Sequence, residues 1–62
     1  MKKYELQKLV DSDYRTKYEH WSPLRPRIYS DDIETLKMFM AMDHRIVETQ
    51  TGKELFRFKV GH

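Results

Sequence analysis

Ser-Asp-Asp-Ile-Glu-Thr-Leu-Lys-Met-Phe-Met-Ala-Met, residues 30–42, is the stretch whose reading decides the fold, because it alone has the pattern of a helix. Ser30 can cap it, since a serine hydroxyl accepts from a backbone N–H of the first turn. Asp31, Asp32 and Glu34 put negative charge at the positive end of the helix dipole. The spacing predicts a helix over 31–42. At about 100° per residue, Ile33, Leu36, Phe39 and Met40 share one side and Lys37 lies at its margin. That apolar side needs a cover, and the flanking segments read as strand or loop.

Upstream, residues 3–10 alternate. Tyr4, Leu6 and Val10 fall on one side, Lys3, Glu5, Gln7 and Leu9 on the other, and Lys8 interrupts the apolar side. Asp11-Ser12-Asp13 is turn chemistry, because these short side chains bond to nearby backbone. A second alternating run follows, with Tyr14, Thr16 and Tyr18 on the inner side against Arg15, Lys17, Glu19 and Trp21. The two runs predict a hairpin. Residues 22–27 contain both prolines, so an extended, solvated connection is expected there. Downstream, residues 45–49 and 54–60 flank Gln50-Thr51-Gly52-Lys53, where Gly52 can supply a positive φ. In the last strand Phe56, Phe58 and Val60 oppose Leu55, Arg57 and Lys59, and the two phenylalanines are expected to pack on the helix.

The expected fold is therefore α+β: a small four-stranded antiparallel sheet with one helix on one face, in the order β-β-α-β-β. One helix covers one face of such a sheet, so the other face is left for solvent or a partner. The 62 residues form a single domain with a thin core. With no cysteine there is neither a disulfide framework nor a thiolate metal site. No apolar run approaches the roughly 20 residues of a membrane span, and no signal peptide is recognisable, so a cytoplasmic protein is expected.

No catalytic constellation is present in the sequence. His20, His44 and His62 are scattered, and the pairs Asp11/Asp13 and Asp31/Asp32 sit where turns and helix starts select aspartate. Only two glycines occur, which excludes a glycine-rich phosphate loop. No enzyme, cofactor or metal is expected. Pro23-Leu24-Arg25-Pro26 fits the P-x-x-P spacing of polyproline ligands, a short pattern that arises readily by chance.

Two features carry the functional expectation. Residues 14–29 hold Arg15, Lys17, Arg25 and Arg27 against Glu19 alone, although the whole chain is only +2, and Trp21 and three tyrosines are interleaved with them. Met38 and Met42 lie on the helix side opposite Ile33 and Met40, as adaptable apolar groups. Small size, dense charge and the lack of catalytic residues are compatible with a compact regulator or inhibitor of the kind phages and mobile elements encode. It would bind a partner protein, or a second copy as a homodimer, through Trp21, Arg25, Arg27, Met38 and Met42. The alternative is nucleic-acid binding through Arg15, Lys17, Trp21, Arg25, Arg27, Arg57 and Lys59, since cations beside aromatic faces suit phosphates and bases. A net charge of +2 favours the protein partner. The arrangement of Arg15, Lys17, Arg57 and Lys59 separates the two: a continuous stripe favours nucleic acid, whereas pairing with local acids favours protein.

Overall fold

The structure is a computed structural model describing residues 2–58. Its elements are β1 (Tyr4–Asp13), β2 (Tyr18–Pro23), β3 (Tyr29–Ser30), α1 (Ile33–Phe39), β4 (His44–Glu48) and β5 (Glu54–Phe58). All pairings are antiparallel and the sheet order is β2-β1-β4-β5, with β3 pairing β1 beyond the end of β2. The class is α+β as expected, but the sheet has five strands, because a two-residue strand precedes the helix. β2 and β3 act as one interrupted strand along β1. Between them residues 24–28 loop out, with a cis Arg25–Pro26 peptide, and the Leu6 N–H donates to the Ile28 carbonyl at 3.0 Å.

The core is small. Leu6, Leu36 and Ile46 are fully buried, and Tyr4, Leu24, Ile28, Ile33 and Met40 pack around them. Full burial of such a side chain contributes about 1.5–3 kcal/mol each. The proline segment is thus not merely solvated, since Leu24 and Ile28 at its ends turn inward.

The helix, Ile33–Phe39, is shorter than the predicted 31–42. Asp32 is the N-cap, its carboxylate accepting from the Glu34 N–H at 3.0 Å and the Thr35 hydroxyl at 3.2 Å. The Ser30 hydroxyl accepts from the Asp32 N–H one step earlier. Asp31 ties the first strand to this cap by accepting from the Lys3 N–H at 2.9 Å, a bond that holds its carboxyl below the ordinary carboxylate range. At the other end Met40 is extended, at φ −68 and ψ 138, and Asp43 adopts φ 61. Ala41 and Met42 therefore lie outside the helix. Ile33, Leu36 and Met40 face the sheet, but Phe39 sits roughly 100° from the middle of that face. It is 60% exposed, so its expected place in the core is corrected.

The first hairpin also differs. β1 continues through Asp11-Ser12-Asp13, and the turn falls at residues 14–17, where Lys17 has φ 62 and the Asp13 carboxylate accepts from the Arg15 N–H at 2.9 Å. Tyr14 and Tyr18 are exposed rather than on an inner face, because this end of the ribbon projects past β4. The second hairpin matches its prediction, with Gly52 at φ 75 and its N–H donating to the Glu48 carbonyl at 2.7 Å. The expected continuation of the last strand to Val60 lies outside the described residues, as do Lys59 and His62.

Phe56 and Phe58 lie opposite Ile46 and His44 on the helix side of the sheet. They are nevertheless 40% and 45% exposed, because α1 sits over β1, β3 and β4 and reaches β5 with little more than Lys37. The expected core built on these phenylalanines is replaced by one built on Leu6 and Ile46. Among the described residues no helix is long and apolar enough to cross a membrane.

Candidate functional site

The sheet face away from the helix carries a polar and aromatic network drawn from four strands. Two bulges build it. Leu55 is an extra residue on β5, so Val47 pairs with Glu54 while Ile46 pairs with Phe56. A bulge breaks the strict alternation of faces. Glu54 is thereby brought to the side of Arg57 and Arg45. On β1 the register shifts at Val10, between Leu9 opposite Trp21 and Asp11 opposite His20.

Trp21 is the centre of the network. The Arg45 and Arg57 guanidinium carbons lie over its ring, 4.6 and 5.2 Å from the centroid, and its indole N–H donates to the Glu19 carboxylate at 3.3 Å. Arg57 donates to Glu54 at 2.8 and 3.0 Å and to Glu19 at 2.9 Å. Its pKa is raised, chiefly by the Glu54 hydrogen bond. Arg45 donates through Nε to the Gln7 side-chain oxygen at 2.8 Å and through Nη1 to Glu54 at 3.3 Å. Two cations meet two carboxylates, so the network is electrically closed.

Beyond the network, Glu5 is buried opposite Val47 and Tyr29. Its Oε2 accepts no hydrogen bond and lies 3.7 Å from Arg27 Nε. Arg27 also donates to the Tyr29 hydroxyl at 2.9 Å, which raises the arginine pKa. Arg25 and Arg27 are both exposed, and Arg27 is tied to Glu5 and Tyr29. Arg15 and Lys17 occupy the β1–β2 turn, and Arg57 reaches from β5 to Glu19 on β2. Of the four cations whose arrangement separates the two readings, Arg57 is paired with the local acids Glu54 and Glu19, and Lys59 lies outside the described residues.

The apolar candidates fall elsewhere. Met38 is 85% exposed and Met42 64% exposed, and the proline loop does not cover them. With Phe39 they are three exposed apolar side chains in residues 38–42, at and just beyond the C-terminal end of α1. Phe39 was missed because an idealised helical wheel counts it as core.

Among the described residues no group of three or more histidine, cysteine, aspartate or glutamate side chains could hold a metal ion. His20 is exposed, and His44 Nδ1 accepts from the Ala41 N–H at 3.0 Å. Sequence reasoning singled out Trp21 and Arg57 but not Glu19, Arg45 and Glu54, which contact them, nor Gln7, which holds Arg45. Comparison with protein-family models, with curated proteins and with solved structures finds no match. The fold and surface together define a small α+β protein with an exposed apolar helix end and a charge-neutralised open sheet face.

Proposed function

We propose that the chain is a non-enzymatic regulator or inhibitor that acts by binding a partner protein. The supporting observation is the pairing of Arg57 and Arg45 with Glu54 and Glu19 on the open face. Cations held by local acids are poor phosphate ligands, because each phosphate contact would have to displace a carboxylate. The adaptable surface is then Met38, Phe39 and Met42, where thioethers and an aromatic ring can repack on a partner. Arg25 and Arg27 supply a basic flank that steers an acidic partner. Trp21 enters as the support on which the neighbouring arginines rest.

Replacing Met38 and Met42 together by lysine tests this. Both side chains are exposed, so the melting curve should shift little, within the about 0.5 kcal/mol typical of surface changes. Capture of a partner by the immobilised chain should be lost. A collapsed fold, or undiminished capture, would refute the assignment. Titration of Trp21 fluorescence with short DNA and RNA at about 50 mM salt should show no binding. Binding with a log–log salt slope near −3, as four single-strand phosphate contacts require, would transfer the function to nucleic acid.

A further inference from the structure

The chain has no cysteine, so its only sulfur is thioether, and three of its four methionines fall within residues 38–42. The structure sorts those three. Met38, in the last turn of α1, is 85% exposed, and Met42, beyond the helix, is 64% exposed. Met40 lies between them in sequence, but it is the C-cap residue, its N–H donates to the Lys37 carbonyl at 3.3 Å, and its side chain packs against the cluster of Leu6, Leu36 and Ile46. An oxidant must reach sulfur to react with it, so two of these thioethers are open to attack and one is shielded. The product is a sulfoxide, which is polar where the thioether is apolar. At Met38 and Met42 the new oxygen meets water, whereas at Met40 it would be pressed against the core.

We infer that Met38 and Met42 are sites of reversible oxidation by a peroxide, which makes the apolar surface at the end of α1 polar while Met40 and the core stay intact. The sulfur lone pair attacks one peroxide oxygen, and the S–O bond forms as the O–O bond breaks. The proton on the attacked oxygen passes to the other, which leaves as water. Sulfur is oxidised by two electrons and the peroxide is reduced by two. No thiol in the chain competes for the oxidant. The return step uses an external dithiol, which a methionine sulfoxide reductase converts to a disulfide while the sulfoxide oxygen departs as water. That such oxidation switches off partner capture rests on the function proposed above; the selective chemistry rests only on the placement of the three sulfur atoms.

The test treats the full chain with hydrogen peroxide at neutral pH, quenches it at intervals and digests it with trypsin, which cuts after Lys37 and after Arg45 and so releases residues 38–45 as one peptide. Tandem mass spectrometry then assigns each added oxygen to position 38, 40 or 42. Met38 and Met42 should oxidise first and Met40 at least about tenfold more slowly, the factor that an opening cost of about 1.4 kcal/mol imposes. In concentrated urea the three should react alike. At the stage of two added oxygens the thermal midpoint should stay within about 4 °C of the untreated chain, as for surface changes in a domain of this size. Retention on a phenyl matrix should fall, and the two methionine sulfoxide reductases, one per epimer, should restore it with dithiothreitol. Met38→Leu with Met42→Leu, which keeps the apolar bulk without the sulfur, should retain equally before and after peroxide. Oxidation of Met40 as fast as its neighbours, loss of the fold at the stage of two oxygens, or unchanged retention of the oxidised wild type would overturn the inference. These readouts involve no partner, so their failure is distinct from failure of the Met38→Lys, Met42→Lys capture experiment.

Discussion

Leu36→Ala should remove most of the stability of this chain. Leu36 is the one fully buried residue of α1 and shares the core cluster with Leu6 and Ile46. Truncation deletes three carbons, at about 0.8 kcal/mol each, which is about 2.4 kcal/mol of transfer free energy. The cavity left between helix and sheet brings the loss to about 3–5 kcal/mol. At about 0.05–0.15 kcal/mol per residue, a chain of this length holds only about 3–9 kcal/mol in total. Phe56→Ala is the contrasting change: its ring is 40% exposed at the sheet edge, so the loss should be roughly half that of a buried phenylalanine, about 2 kcal/mol. Urea unfolding followed by Trp21 fluorescence measures both. With a slope near 1 kcal/mol per molar urea, Leu36→Ala should lower the midpoint by about 3 M or leave the chain unfolded, and Phe56→Ala should lower it by about 2 M. If Phe56→Ala proves the more damaging of the two, the core has been placed on the wrong strands.

Two further outcomes follow from the open face and the loop before β4. A double-mutant cycle of Trp21→Ala with Arg57→Met, read by urea unfolding under circular dichroism, should give a coupling of about 0.5–1 kcal/mol from the guanidinium over the indole; additive losses would show that the ring contact contributes nothing. His44 accepts the Ala41 N–H through Nδ1, which requires the neutral ring, and partial burial lowers its pKa below the ordinary value. As pH falls the unfolded chain takes up this proton first, so stability is full well above the unfolded pKa of about 6.5 and declines below it. The urea midpoint should drop between about pH 7.5 and 5.5, and His44→Asn, whose amide oxygen can accept the same N–H, should flatten that decline.

The legible parts of this fold were those in which one physical signal had one structural use. Ile33, Leu36 and Met40 have a spacing that only a helix satisfies, and Gly52 between two strand-like runs has the conformational freedom its turn requires. Asp11, Ser12 and Asp13 have no such single use: their side chains suit a turn, but Asp13 caps one that begins a residue later. Ser30 and Asp32 are both competent caps, and only the packing of the chain around Lys3 and Asp31 decides between them. The open face was the least legible, because a bulge leaves no mark in composition. Strict alternation assigns Glu54 to the side of Phe56, and one inserted residue, Leu55, turns it toward Arg57. The network around Trp21 depends on that single displacement. Met38 and Met42 were legible as lying off the buried stripe, whereas Phe39 was not, since seven helical residues cover a narrower strip of sheet than a long helix would.

β1 pairs with β2 and β3 along one side and with β4 along the other. During synthesis it leaves the ribosome before the strands it pairs with, and residues 4–8 meet their β4 partners only after roughly 40 more residues have been added, a wait of about 2–8 s at ordinary elongation rates. The local ribbon of β1 and β2 can form in that interval, but it leaves Leu6 without the cover of Ile46 and Leu36. Assembly of the nascent chain is therefore gated by its second half, and a transcript cut short before residue 44 encodes a product with no means of closing its core.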